Sequence, residues 1–344
     1  MAAVITCLGG EDPQDDSWPN PMSSFALWRE YAACPRVAAP PVSDASWDTR
    51  ALLGYHSQFV TLRTPSQEQA KQELRRTLLV NNRHRGTARR GLIVSGPPGA
   101  GKSTNLLELG RSFERSEQAK RPGSPDYLPV AFVAIPASCT PKGLVMEFAR
   151  FLGIPVHDRV TESTITDAVC QVMVERRTRL VFIDDVHLLN TRTRPGADSS
   201  DKVKTLAERI PATFVLAGVD VETSALLTGP RGGQLAARFK MLRTAPLPHG
   251  TGEQKAQWRK LLGDMEQALR LRNHRPGTLA RHADFIHLRT GGVMASLFAL
   301  VREAAICSIL DGTHAVTRRL LAEVVLDTQA TEAARARRRP PDSP

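Results

Sequence analysis

The sequence predicts an α/β fold in which a parallel five-stranded sheet is sandwiched by helices and followed by a small all-helical domain. Three features predict it. Short apolar runs alternate with helix-patterned stretches between residues 67 and 247, as buried parallel strands covered on both faces require. One of those strands runs directly into a glycine-rich loop that opens a helix. Beyond Pro248 the strand pattern stops and helical periodicity continues alone.

Taken in order, residues 1–54 read as an acidic, Pro-rich extension with a short helix at Met22–Ala33. Trp18, Trp28 and Trp47 in it are free to dock on the body or on a partner. Gln67–Asn82 follows as a helix, Gly91–Ser95 as a strand, and Lys102–Gln118 as a helix with Leu106, Leu107, Leu109 and Phe113 on one face. Val130–Ile135 is the second apolar run, and Lys142–Leu152 a helix ended by Gly153 and Pro155. Thr164 and Asp167 read as a capping box for a helix to about Arg177. Leu180–Ile183, Thr213–Ala217 and Met241–Leu247 supply strands, with a helix at Asp201–Arg209. Trp258, Leu261, Leu262, Met265 and Leu269 then mark an amphipathic helix, and Thr278–Leu288, Val293–Leu310 and Val316–Val325 continue in helical style. The expected division is 55–248 for the α/β domain, 249–327 for the helical lid and 328–344 for a disordered basic tail.

Charge and cysteine usage narrow the class. Lys plus Arg number 46 against 35 Asp plus Glu, a net charge of +11. Residues 1–50 hold three basic and seven acidic side chains, so the body is more basic than the whole. A basic body leans toward a polyanion, most often nucleic acid. No apolar run approaches the ~20 residues of a membrane-spanning helix. Glu11, Asp12, Asp15 and Asp16, with no basic region ahead of them, argue against a secretory signal. Cys7, Cys34, Cys139, Cys170 and Cys307 are odd in number and form no CxxC. They support neither a disulfide framework nor zinc, and a reducing cytoplasm is the expected compartment. Cys139, Cys170 and Cys307 read as buried small hydrophobes.

The chemistry is carried first by Gly96-Pro97-Pro98-Gly99-Ala100-Gly101-Lys102-Ser103, with Thr104 behind it. Glycines let backbone N–H groups curl around a phosphate chain, and the helix N-terminus adds partial positive charge. Lys102 supplies a cation for β- and γ-phosphates and Ser103 a hydroxyl for Mg²⁺. The second element is Leu180-Val181-Phe182-Ile183-Asp184-Asp185, a buried strand ending in carboxylates at the edge where open α/β sheets bind ligands. Asp184 is expected in the Mg²⁺ shell, and Asp185 where a general base polarises water. Arg238, ending a helix-like stretch before the fifth strand, reads either as an arginine reaching a neighbouring subunit's γ-phosphate or as a helix C-terminal cation. Arg231 competes for that role. His187 is a candidate hydrogen-bonder in the active-site loop.

Residues 71–90 gather Lys71, Arg75, Arg76, Arg83, Arg85, Arg89 and Arg90 against Glu73 alone, a candidate contact for duplex DNA phosphates. The other reading is a solvated helix face with arginines paired across subunits. No aromatics interleave with them, so base stacking is not suggested. His84 reads as a surface or packing residue, and His282 and His287 suit no usual metal spacing.

The glycine-rich loop, the acidic strand end, Arg238 and the helical lid together resemble the AAA+ ATPases. Within that class the chain resembles the TniB-type ATPases of transposition, relatives of TnsC and MuB, from about Tyr55 to Asp327. That narrower likeness rests on Tyr55-His56-Ser57, Asn82-Arg83-His84, Ala88-Arg89-Arg90-Gly91-Leu92-Ile93 and Glu147-Phe148-Ala149-Arg150-Phe151-Leu152-Gly153. It also rests on Ile210-Pro211-Ala212-Thr213-Phe214-Val215, Arg275-Pro276-Gly277-Thr278-Leu279 and Thr290-Gly291-Gly292. The resemblance implies an ATP-dependent homo-oligomer, ring or filament, on duplex DNA, with nucleotide between subunits and a DDE-type transposase as partner. Three departures from the AAA+ pattern imply slow turnover. Asp185 stands where Glu is usual, Val219 where a polar sensor is usual with Asp220 as its substitute, and Gly292-Val293-Met294-Ala295 where Gly-x-x-Arg is usual.

Overall fold

A computed structural model describes residues 20–35, 48–57, 64–83, 89–157, 159–189 and 196–327. The described residues fall into two compact units, one drawn from 20–34 and 65–244 and the other from 48–57 and 245–327. These units divide the chain at other points than 54 and 248. The helix at 25–33 joins the α/β unit, the helix at 49–57 joins the helical unit, and the second changeover comes after Thr244. The basic tail, Trp18, Trp47, His84 and Arg85 lie outside the described residues.

The α/β unit opens with α1 (Phe25–Ala33), whose N-cap Ser24 accepts from the Leu27 N–H. Trp28 is the reason α1 belongs here. It is fully buried, stacks on Phe132 at 5.3 Å and donates from its indole nitrogen toward Glu114 at 3.4 Å. The unit continues with α3 (Pro65–Asn81), β1 (Gly91–Ser95), α4 (Lys102–Lys120), β2 (Val130–Ala134), α5 (Pro141–Leu152), α6 (Glu162–Glu175), β3 (Leu180–Asp184), α7 (Gly196–Arg209), β4 (Thr213–Gly218), α8 (Gly229–Ala236) and β5 (Phe239–Arg243). All five strands are parallel, in the order β2-β3-β4-β1-β5. β1, β3 and β4 are buried along their whole length, as the apolar runs require.

Two local expectations are corrected. α6 starts at Glu162 under Thr161, whose hydroxyl accepts from the Thr164 N–H at 3.3 Å, so Thr164–Asp167 is not its capping box. β5 starts at Phe239 and ends at Arg243, earlier than the apolar run 241–247. Its register is set by Gly91 opposite Phe239, and Pro246 and Pro248 carry no N–H to extend a ladder.

A charged cluster holds α4 to the sheet. The Glu117 side chain, 4% exposed, accepts from Lys120 (2.6 Å), Tyr127 (2.7 Å) and Arg179 (2.6 Å). Burial pushes this carboxyl up, but the three hydrogen bonds prevail and hold it at about 2. Because the folded value is depressed, the stabilisation is present above the ordinary carboxylate range and is lost as pH falls toward about 2. Urea midpoints measured between pH 5 and 2 are expected to fall more steeply for the wild type than for Glu117→Gln; parallel curves would contradict this.

The helical unit comprises α2 (Thr49–Ser57), α9 (Gly252–Leu269), α10 (Thr278–Arg281), α11 (Ala283–Thr290), α12 (Met294–Leu310) and α13 (Arg318–Glu323). Its core gathers Leu52, Trp258, Leu262, Leu279, Ile286, Leu297, Leu300 and Leu321. Leu52 and the Tyr55 hydroxyl, which donates to the Ala268 carbonyl at 2.8 Å, explain why α2 belongs here. Thr251 and Gln254 form the capping box of α9. The single helix expected at 278–288 is two, interrupted at His282. Glu266 organises the segment 275–279. It accepts from His274 at 2.8 Å, from the Leu279 N–H at 2.9 Å and from the Gly277 N–H. Cys139 and Cys170 are buried, whereas Cys307 is exposed, because the buried stripe of α12 passes through Val301, Ala304, Ala305 and Ser308 and leaves it outward. Among the described residues no helix is long and apolar enough to cross a membrane.

Candidate nucleotide site

The site is built where β1, β3 and β4 end. Chain leaves β1 at Ser95, turns through Gly96–Gly101 and enters α4 at Lys102. Gly96 is dictated by space: a Cβ there would stand 2.2 Å from the Thr244 carbonyl oxygen. Gly101, the N-cap of α4, has φ 82° and ψ 18°, a left-handed conformation that favours glycine. Pro97, Pro98, Gly99 and Ala100 form the rest of the loop, and Ser103 and Thr104 occupy the first turn of α4.

Lys102 is 7% exposed and donates to the Gly96 and Pro97 carbonyls, both at 2.8 Å. Burial lowers its pKa, and the carboxylates of Asp184, Asp185 and Asp220 work against that lowering. A buried cation is thus set between two loop carbonyls and the field of three acids. Asp184 ends β3 with its side chain buried and accepts from the Asp185 N–H at 2.9 Å. Burial pushes the Asp184 carboxyl up; a hydrogen bond with Ser103 acts in the opposite direction, and Asp185 adds to the rise. A buried carboxylate destabilised in its charged form, next to a hydroxyl, suits a hard divalent cation that takes its remaining ligands from phosphate and water. Ser103 and Asp184 would hold Mg²⁺ here. Among the described residues no group of three or more His, Cys, Asp or Glu gathers as a protein-only metal cage.

Asp185 is partly exposed and has φ 58° and ψ 36°. Asp220 follows β4 and shares the field of Lys102, so a carboxylate one residue beyond Val219 occupies the region where sequence offered an apolar residue. Ser95, Glu222 and Thr244 were not legible as site residues. The Ser95 hydroxyl donates to Glu222, and the Thr244 N–H and hydroxyl both donate to the Ser95 carbonyl, at 2.7 and 3.1 Å.

Arg238 is not brought to this cluster. Its carbonyl accepts from Gly91 at 3.0 Å, so it lies at the opposite edge of the sheet, about 16 Å away along a five-residue strand. Its guanidinium pairs with Glu208 at 2.6 Å. Arg231 likewise pairs with Asp201, at 2.9 Å.

The basic stretch divides. Lys71, Arg75, Arg76, Arg83 and Arg90 are exposed; Arg76 pairs with Glu73, which also binds Lys240 at 3.2 Å. Leu79 and Val80 are exposed between them, an apolar pair on an otherwise cationic face. Arg89 is half-buried and donates to the Pro211 carbonyl, with burial and the neighbouring Arg179 pulling its pKa down. Asn81 anchors the same segment, its amide bonding the Arg90 N–H and carbonyl and the Thr213 hydroxyl at 2.7 to 2.9 Å.

Residues 83–227 match a family model described as an AAA domain. No curated protein matches the chain. Solved structures do. The Aeropyrum pernix ORC2 protein in ADPNP-ADP complexes is 16% identical over 82% of this chain and 71% of its own, with a TM-score of 0.57. Cdc6p from Pyrobaculum aerophilum is 18% identical over 79% and 71%, with a TM-score of 0.55. The Aeropyrum pernix ORC1 protein in complex with DNA is 15% identical over 84% and 69%, with a TM-score of 0.56. With the parallel order β2-β3-β4-β1-β5 and the loop leaving β1, these matches show the AAA+ P-loop fold, with the AAA-domain likeness confined to residues 83–227.

Proposed function

We propose that the chain binds ATP with Mg²⁺, converts ATP and water slowly to ADP and phosphate, oligomerises with nucleotide between subunits, and acts on duplex DNA as a regulator that recruits or activates a DDE-type transposase. The observation that carries the nucleotide part is the convergence of Lys102, Ser103, Asp184 and Asp185 at one edge of the sheet. Gly96–Thr104 cradle the phosphates, Lys102 neutralises them, Ser103 and Asp184 hold the metal, and Asp185 orients the attacking water. Arg238, whose backbone pairs with Gly91 at the start of β1 and whose guanidinium holds Glu208, is read as reaching a neighbour's γ-phosphate once Glu208 releases it. The fold is shared with proteins solved with ADPNP and ADP and with DNA, which supports both ligands here.

The DNA part rests on exposed Arg75, Arg76, Arg83 and Arg90. Duplex affinity is expected to fall linearly with the logarithm of salt, and Arg75→Ala and Arg83→Ala each to reduce the slope by about 0.9. Fluorescence anisotropy across a salt series checks this, and unchanged slopes would remove α3 as the contact. Arg89→Ala is expected to act on folding instead, through Pro211.

The transposition role is supported by the TniB-type resemblance alone. Another AAA+ role, in helicase loading or protein remodelling, uses the same site with a different partner. Co-purification with ATP and duplex DNA separates them: a DDE-type transposase retained only with both supports the first, and a replicative helicase in its place supports the second.

A further inference from the structure

The turns after β3 and β4 are built alike. In each, an aspartate with left-handed backbone opens a single 3-10 turn: Asp185 (φ 58°, ψ 36°) before Val186–Leu188 and Asp220 (φ 45°, ψ 41°) before Val221–Thr223. Each turn begins with a buried valine, and both aspartates bear on Lys102. Left-handed backbone is costly for a residue with a Cβ and persists where surrounding contacts hold it.

Those contacts reach the Asp220 turn from both sides. On the β1 side, the Val221 N–H donates to the Ser95 hydroxyl at 3.0 Å, and Glu222 binds Ser95 and lies 3.3 Å from Arg243. On the β3 side the link is His187, whose Nδ1 accepts the Val219 N–H at 3.3 Å. The end of β4 also packs closely on the Asp185 turn, since a Cβ built on Gly218 would stand 3.1 Å from the His187 backbone nitrogen. The same Nδ1 is 4.0 Å from Asp185 Oδ1, beyond hydrogen-bond distance. His187 therefore ties the turns together without capturing the Asp185 carboxylate.

We propose that His187 is a positioning residue for ATP hydrolysis, fixing the Asp220 turn against the Asp185 turn so that both carboxylates keep their places around Lys102. It acts through Val219 and touches no reacting atom. The inference rests on the ATPase reading above and adds to it a residue whose loss should slow the chemical step while sparing nucleotide binding. Displacing a base or its partner by about 1 Å is enough for a large rate loss.

The chemistry of the link supplies the test. Asparagine places Oδ1 where histidine places Nδ1, so His187→Asn keeps an acceptor for the Val219 N–H, whereas His187→Ala removes it. Steady-state kcat and KM for ATP would be measured for both, with the affinity of a non-hydrolysable ATP analogue in Mg²⁺ as the binding readout. His187→Ala is expected to lower kcat about tenfold, with KM and analogue affinity within about twofold of wild type, and His187→Asn to recover most of the rate. Wild-type kcat in His187→Ala, equal losses in the two variants, or a loss confined to KM would each overturn the proposal while leaving the ATPase reading standing. Wild-type protein that hydrolyses no faster than Lys102→Ala would overturn the ATPase reading, and His187's role with it.

Discussion

Lys102→Ala is expected to weaken Mg·ATP binding about 100-fold or more in a titration calorimeter, with little change in the protein's thermal midpoint. The side chain is buried at the start of α4, behind a glycine-rich loop, so its ammonium would meet phosphate where water competes poorly. A charge-assisted contact of that kind contributes about 3 kcal/mol, which corresponds to roughly two orders of magnitude in affinity. Removing it relieves a desolvated charge, which offsets the loss of its hydrogen bonds to the Gly96 and Pro97 carbonyls. An unchanged affinity would mean that the phosphates sit elsewhere.

Asp185→Asn is expected to lower kcat by about 10²- to 10⁴-fold, the range for loss of a positioned general base, while leaving nucleotide affinity close to wild type. Asp184→Asn differs in kind. It removes the buried carboxylate paired with Ser103, so its loss should show first as a raised Mg²⁺ requirement. Single-turnover assays across a Mg²⁺ series separate the two. Because aspartate is one methylene shorter than glutamate, the wild-type rate itself should be slow. Equal and negligible rates for wild type and Asp185→Asn would make the chain a nucleotide-dependent scaffold and remove Asp185 from the chemistry.

What was legible in the sequence was what is local. The glycine-rich loop carries its own reason for folding, and Leu180–Asp184 announces a buried strand ending in an acid, so the strand-loop-helix core could be read directly. Tertiary destinations could not. Trp28 reads as a stray aromatic in an acidic head until Phe132 and Gly110 are found beneath it. Tyr55 gives no sign that its hydroxyl closes on Ala268. β5 misleads because hydrophobicity continues past Arg243 while the pairing, fixed by Gly91 opposite Phe239, does not.

The site divides the same way. Lys102, Ser103 and Asp184 follow from spacing, but the roles of Ser95 and Glu222 depend on turns from different strands meeting at one edge. Asp220 is adjacent in sequence to an unpromising Val219, and only its left-handed backbone shows how the chain turns there. Arg89 counts toward basic charge yet is committed to Pro211, a loss no composition can reveal. The choice of a transposase over another partner is not encoded in any of these contacts, which is why it is tested by retention of a partner.

A triphosphate held between residues 96 and 104 is expected to join one protomer to the next. Sedimentation velocity of the wild-type chain with a non-hydrolysable ATP analogue, Mg²⁺ and duplex DNA tests it most directly. Multimers that require the nucleotide, and that Lys102→Ala fails to form, are the expected result. A wild-type chain that sediments as an unchanged monomer, or a Lys102→Ala chain that assembles as readily, would contradict it.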